Sequence, residues 1–279
     1  MMKISDHLLQ GDSNRKVSRV NSPNHSGSFG SGYPDTIIIH YTAGRNAASS
    51  INTLCDPNVK ASAHLVIGRD KSVTQLVPFN IIAWHAGKSS YKGKKGFNKY
   101  SIGIEIDNAG QLTKQEDEYL SWFGARYTAS EVYEGIHRNQ SNISYWHRYT
   151  KEQIEITEEI CKLLIQEYDI KCILGHEEVS PGRKTDPGPA FPLDKLRDKL
   201  LNAARDDDDG DDIITHDNVH GIVTATKLNI RSLPDVNSSK VADPLPKGTE
   251  VKIIEESGDW YNVIVETKGW VSKNYIKKD

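Results

Sequence analysis

Three cysteines in 279 residues (Cys55, Cys161 and Cys172) are too few and too scattered for a disulfide framework. Cys161 falls in a helical pattern and Cys172 in a strand-like one, so free, buried thiols are expected. A basic excess is also missing: 35 Lys and Arg stand against 38 Asp and Glu, a net charge of −3. Nucleic-acid-binding domains are usually distinctly basic, so no nucleic-acid partner is expected. No stretch approaches the roughly 20 apolar residues of a membrane helix. The opening "MMKISDHLLQGDSNRK" lacks the apolar core of a secretory signal. A protein read this way reaches a site outside the cytoplasm only by a non-classical route. There is no internal repeat, and the H-E-x-x-H signal of many zinc hydrolases is absent.

What is present is an ordinary globular composition, 37% hydrophobic and 26% charged, long enough for one full domain and a small second one. The charge is uneven. Residues 206–279 carry 9 Lys and Arg against 15 Asp and Glu, which leaves 26 against 23 for the first 205. Much of that acidity is the run "DDDDGDD" at 206–212, which cannot bury itself and reads as a solvated linker. The expected boundaries are therefore a domain over 1–205, an acidic linker over 206–217 and a second domain over 218–279.

Residues 1–34, rich in Ser, Asn and Gly, read as an irregular arm. "DTIIIHYT" (35–42) is a β-branched apolar run, a buried strand ending in His40. "SAHLVIGRDKSVTQLV" (62–77) reads as two strands about a turn at Arg69–Ser72, and "SIGIEI" (101–106) as a third central strand. A helix is expected over about 150–168: Thr150 and Gln153 have capping-box spacing, and Ile154, Thr157, Cys161, Leu164 and Tyr168 share one face. "IKCIL" (170–174) is another strand, and a helix near 192–204 closes the unit. Residues 111–147 are aromatic and poorly periodic, an excursion with some helix. The whole predicts an α/β fold with a central mixed β-sheet flanked by helices. Residues 218–279 hold short alternating strands broken by Gly, Pro, Asp and Asn, a small all-β barrel in which Trp260 and Trp270 serve core or groove.

The loop "LGHEEVSPGRKTDPGP" (174–189) carries chemistry out of proportion to its packing value. A catalytic zinc site takes three ligands from His, Cys, Asp or Glu and keeps a fourth position open. His40 and His176 each stand at the end of a predicted strand, and Asp186 lies ten residues past His176. Strand ends on one edge of a sheet can bring such residues together. Taken one by one, the same histidines read equally well as structural residues, and Asp186 as a turn former.

The strings "IHYTAGR", "SAHLVIGRDKSVTQLVP", "AWHAG", "SIGIEI" and "GHEEVSPGRKTDPGP", in this order over about 15–205, closely resemble the zinc-dependent N-acetylmuramoyl-L-alanine amidases. This is the type 2 family, which includes the peptidoglycan recognition proteins. Residues 218–279, with "KLNIRSLPD", "GDWYNVIV" and "GWVSKNYI", resemble a bacterial SH3 domain of the kind that tethers wall hydrolases. The resemblance implies a Zn2+ cofactor held by His40, His176 and Asp186. It implies Glu105 as the residue that activates water and Lys184 as the oxyanion stabiliser. By their own place in the sequence, Trp84 and His85 are expected to line the cleft, as substrate contacts or as packing residues, while His64 reads as a structural or supporting histidine and Tyr41, alternating to the other face, as a core residue.

The expected activity is cleavage of the amide between N-acetylmuramic acid and the L-alanine of the stem peptide, with peptidoglycan or muropeptides as partner. Two alternatives stand beside it: a cytoplasmic recycling amidase acting on anhydro-muropeptides, and a muropeptide-binding protein without activity. A phage lysin or a delivered antibacterial toxin, the latter paired with an immunity protein, would fit the missing signal.

Overall fold

The computed structural model describes residues 2–13, 15–116, 118–202, 220–231, 236, 240–257 and 260–265. The acidic run and Trp270 lie outside the described residues. The chain divides into two compact units, Met1–Asp208 and Asp209–Asp279.

The first unit is built on a six-stranded sheet in the order Cys172–Gly175, Thr36–Tyr41, Ser101–Ile106, Leu65–Ile67, Val73–Gln75, Val17–Arg19. The first four are parallel neighbours, Leu65–Ile67 and Val73–Gln75 pair antiparallel, and Val17–Arg19 is added in parallel at the edge. Parallel strands covered on both faces need apolar side chains on both. Hence the unbroken Ile37, Ile38 and Ile39, all fully buried. Ile37 and Ile39 point into one core with Ile102, Ile104 and Ile106, whereas Ile38 faces the other way with Leu174, Ala86 and Phe97.

The helix Lys151–Glu167 covers the first of these faces. Both halves of its capping box, Thr150 with Gln153, are formed. Its buried residues are Gln153, Ile156, Thr157, Ile160, Cys161 and Leu164, while Ile154 and Tyr168 are half-buried. The expected stripe is thus rotated, because a flat sheet covers a broader arc of helix than a single heptad line. Gln153 also donates to the Asp107 carbonyl at 2.8 Å, which accounts for a fully buried amide.

Two regions differ from expectation. Residues 111–147 form a five-stranded antiparallel sheet, ordered Arg126–Tyr127, Glu118–Leu120, Gln111–Gln115, Ile143–His147, Val132–Ile136, with one 3-10 turn at Ala129–Glu131 in place of a helix. Its strands are short and wet on one face, so their aromatics show no helical period. The N-terminal arm is ordered too. Lys3–Ser5 pairs with Leu8–Gln10 about a turn whose Asp6 and His7 both have positive φ, and Met2 and Leu9 enter the main core. That is the backbone of a primed hairpin turn made without the usual glycine, so nothing in the sequence announces it. A further helix, Ala47–Cys55, is capped by Asn46. The closing helix runs Leu193–Arg197 and continues as a wider turn over Asp198–Asn202.

In the second unit, His220–Ile222, Glu250–Ser257 and Trp260–Ile264 form an antiparallel sheet, and Lys227–Leu228 pairs with Leu245–Pro246. Trp260 is half-buried. The described part of this unit is all-β.

Candidate metal centre

Strand register sets the site. Gly103 pairs with Ile38 and Glu105 with His40 across the parallel ladder, so all four project to the face opposite the long helix. Leu174 pairs with Ile38, and two residues later His176 opens the short helix His176–Val179. The loop then returns Asp186 to it: the Glu177 N–H donates to the Asp186 carbonyl at 2.8 Å, and those of Arg183 and Lys184 donate to the Ser180 carbonyl. Gly188 (φ 71°) closes the loop against Trp146, where an added Cβ would lie 2.8 Å from the indole ring.

The result is a cluster of three buried ligand atoms. His40 Nδ1 lies 3.0 Å from His176 Nδ1, and Asp186 Oδ2 lies 2.8 and 2.9 Å from the two. His176 Nε2 sits 3.1 Å from the Ala86 carbonyl and 3.3 Å from Arg183 Nη2; a neutral ring that donates to the carbonyl turns the lone pair of Nδ1 inward. Arg183 Nη2 donates to the same carbonyl at 3.1 Å. Burial, and the neighbouring His176, push His40 down to about 4, so it is neutral at neutral pH. Burial works against the charge of Asp186, yet the His176 and His40 rings beside it hold its carboxyl below the usual carboxylate range. Two imidazoles and one carboxylate suit a divalent zinc ion. Among the described residues, this is the one group of His, Cys, Asp or Glu that could hold a metal.

A cavity of about 190 Å³ opens over the cluster, lined among others by Trp84, His85, Glu105 and Lys184. Oε2 of Glu105 is buried and has no hydrogen-bond partner among the described residues. Burial lifts this carboxyl well above its ordinary value, Asp186 adds to the shift, and Lys184 opposes it. An acid kept unsatisfied beside a ligand cluster is costly unless it is used. Trp84 is half-buried at the wall and donates its indole N–H to Ser26 Oγ. Both ring nitrogens of His85 are engaged by protein, at 3.0 Å from His40 Nε2 and 3.1 Å from the Ser101 carbonyl. His64 is fully buried, accepting from the Gly103 N–H and donating to the Ile81 carbonyl. Tyr41 also lines the cavity, its hydroxyl 2.6 Å from Thr185 Oγ1.

Sequence reasoning missed the clamp that holds the loop. Buried Glu177 accepts from His137 Nε2 at 2.6 Å, Arg138 Nε at 2.8 Å and the Gly188 N–H at 3.0 Å. Glu178 accepts from Arg138, Arg197 and the Gly175 N–H. The two acids following His176 thus tie the loop to the antiparallel sheet, where His137 stacks on Trp146. His147 is likewise structural, its Nδ1 accepting from the Ala109 N–H.

Fold and site together bring a His-His-Asp group that could hold a metal to the strand ends of a mixed sheet. The family of N-acetylmuramoyl-L-alanine amidases matches residues 30–189, and the bacterial SH3 domain family matches residues 226–277. The chain belongs to the N-acetylmuramoyl-L-alanine amidase family, a zinc-dependent one, and His40, His176 and Asp186 are the group that could bind the ion. It is 30% identical over 140 residues to the 1,6-anhydro-N-acetylmuramyl-L-alanine amidase AmpD of Escherichia coli, covering 50% of this chain and 58% of that one. It is also 30% identical over 177 residues to the N-acetylmuramoyl-L-alanine amidase AmiD of Escherichia coli, covering 60% and 53%. The chain therefore spans a little over half the length of these curated relatives. Among solved structures, AmiD from E. coli in complex with anhydro-N-acetylmuramic acid-L-Ala-D-gamma-Glu-L-Lys aligns at 26% identity over 71% of this chain and 65% of that one, with a TM-score of 0.45.

Proposed function

We propose that the protein hydrolyses the amide between the lactyl group of N-acetylmuramic acid and the L-alanine of the stem peptide. The observation that carries this is one cavity holding three converging ligand atoms, Lys184 and a Glu105 oxygen without a hydrogen-bond partner among the described residues, in a chain of the amidase family. Zinc held by His40, His176 and Asp186 would supply Lewis acidity and make a water nucleophilic near neutral pH. Glu105 takes the proton of the attacking water and returns it to the leaving amine of L-alanine. Its raised affinity for protons suits the second half of that task. Lys184 puts a fixed positive charge where the oxyanion develops, on a loop that the Glu177 and Glu178 clamp keeps rigid.

We assign catalysis to residues 1–205, a linker to 206–217, and attachment to peptidoglycan to 218–279. The SH3 family match over 226–277 supports that last assignment and with it intact cell wall as substrate. No helix among the described residues is long and apolar enough to cross a membrane. A lysin or antibacterial role, with an immunity protein in a producing cell, would show as lysis of intact target cells.

The direct test is mass spectrometry of sacculi digested by the protein as purified, metal-stripped and zinc-restored. The expected products are free stem peptides with an unblocked L-alanine, lost on stripping and regained with zinc. Intact stems in all three samples would overturn the wall-hydrolase reading, and parallel digestion of small anhydro-muropeptides would show whether a soluble substrate replaces it.

A further inference from the structure

His85 is buried, and each of its nitrogens faces a group whose proton demand can be worked out. On one side Nε2 lies 3.1 Å from the Ser101 carbonyl and 3.3 Å from Ser101 Oγ. The carbonyl can only accept. The Ser101 hydroxyl already donates to the Phe97 carbonyl at 2.6 Å, so its Oγ also faces His85 as an acceptor. The proton of a neutral His85 must therefore sit on Nε2, which leaves a lone pair on Nδ1. That lone pair is 3.0 Å from His40 Nε2. A bond there requires His40 to carry its own proton on Nε2, and this bares His40 Nδ1, the atom that faces His176 and Asp186.

We propose that His85 is a positioning residue of the metal centre, fixing the tautomer and the ring angle of His40 through the relay Ser101–His85–His40. Metal-bound histidines commonly give their outer N–H to a carboxylate, a carbonyl or water. Here a second neutral imidazole takes that place and hands the demand to a backbone carbonyl of the adjoining strand. The relay adds no charge, so the carboxylate of Asp186 is the one negative ligand. The surroundings hold the His85 ring in place. The ring of His40 meets it edge-on with centroids 5.1 Å apart, and that of His64 at 5.8 Å. Gly103 leaves the space in front of it, since a Cβ at that position would fall 2.3 Å from His85 Cγ.

The proposal rests on His40 being a zinc ligand, and its test separates the two claims. Zinc affinity is measured by competition with a chromophoric chelator on the full chain, for the wild type, His85→Phe and His85→Asn. Phenylalanine keeps the ring but offers no acceptor, whereas the asparagine oxygen can stand near the place of Nδ1. The expected result is zinc binding weakened about 10- to 100-fold by His85→Phe and largely restored in His85→Asn. Equal affinity in wild type and His85→Phe, or equal weakening by both substitutions, would overturn the relay. A wild type that binds no zinc would overturn the metal centre itself.

Nitrogen-15 NMR of histidines in the zinc-loaded wild type gives a reading that needs no variant. It should show protons on Nε2 of both His40 and His85. A proton on His85 Nδ1, or zinc on His40 Nε2, refutes the assignment.

Discussion

Gly103→Ala adds one methyl group in a central strand, and its effect should appear at the metal. The new Cβ would lie 2.3 Å from His85 Cγ, 2.5 Å from Nδ1 and 2.8 Å from Cδ2. Ordinary contact begins at 3.4 Å, so the ring must retreat by about 3.4 − 2.3 = 1.1 Å. A shift of that size is enough to take the 3.0 Å contact with His40 beyond hydrogen-bond reach. Two terms compete in stability. Alanine in place of a strand glycine is worth about 0.5–1 kcal/mol in the favourable direction. Overpacking a filled interior costs about 1–3 kcal/mol, and here both the His40 and His64 rings stand against His85, so the loss wins. Guanidinium denaturation of the metal-free protein should show net destabilisation, and chelator competition should show zinc affinity lowered about tenfold or more. The decisive control is His85→Ala. With the ring gone the methyl group has room, and Gly103→Ala should become neutral or mildly stabilising in that background. Equal cost in both backgrounds would refute the steric account, as would undiminished zinc affinity in the single variant.

Glu105→Gln should abolish most turnover, by about 10²- to 10⁴-fold, with zinc stoichiometry unchanged; loss of the metal as well would contradict its role as proton carrier. The same variant tests the shifted carboxyl. Burial raises the folded value, so ionisation opposes folding: the acid's contribution is fully present below the ordinary carboxylate range and is lost as pH rises through the folded value. Metal-free Glu105→Gln should therefore unfold at higher denaturant than wild type at pH 7, and the gap should close near pH 4; a constant gap would refute this. Glu177→Ala strips buried His137 of its carboxylate and should cost about 3–5 kcal/mol in chemical denaturation, against which a loss below about 1 kcal/mol would count. Asp186→Ala should bind less than one zinc per chain by elemental analysis where wild type binds one, since it removes the negative ligand.

The parts of this molecule that could be read from the sequence are those in which one strong local signal suffices. Three isoleucines before His40 mark a strand buried on both faces, and the lone acid between Ile104 and Ile106 marks Glu105 as an interruption with a purpose. What escaped depends on partners remote in the chain or on backbone geometry without a residue signature. His137 and Glu177 meet across 40 positions, between a short wet strand and a polar loop. Asp6 and His7 turn a hairpin with positive φ where no glycine advertises it. The state of His85 depends on which way a Ser101 hydroxyl points, a matter of tertiary structure alone.

One alternation specifies both the core and the candidate site. Along Thr36–Tyr41 and Ser101–Ile106, residues of one parity (Ile37, Ile39, Ile102, Ile104, Ile106) pack with Ile156 and Ile160 of the long helix. The other parity carries Ile38, His40, Gly103 and Glu105. A slip of one residue in the Glu105 strand would send Glu105 into the isoleucine face and lift Ile104 into the cavity. Burying that carboxylate without a partner costs several kcal/mol, in addition to the apolar burial lost by the displaced isoleucines. The slipped register is therefore excluded by the same side chains to which the proposed chemistry is assigned. For this reason a strand as short as "SIGIEI" can hold Gly103 opposite His85 and Glu105 beside His40 without any further lock.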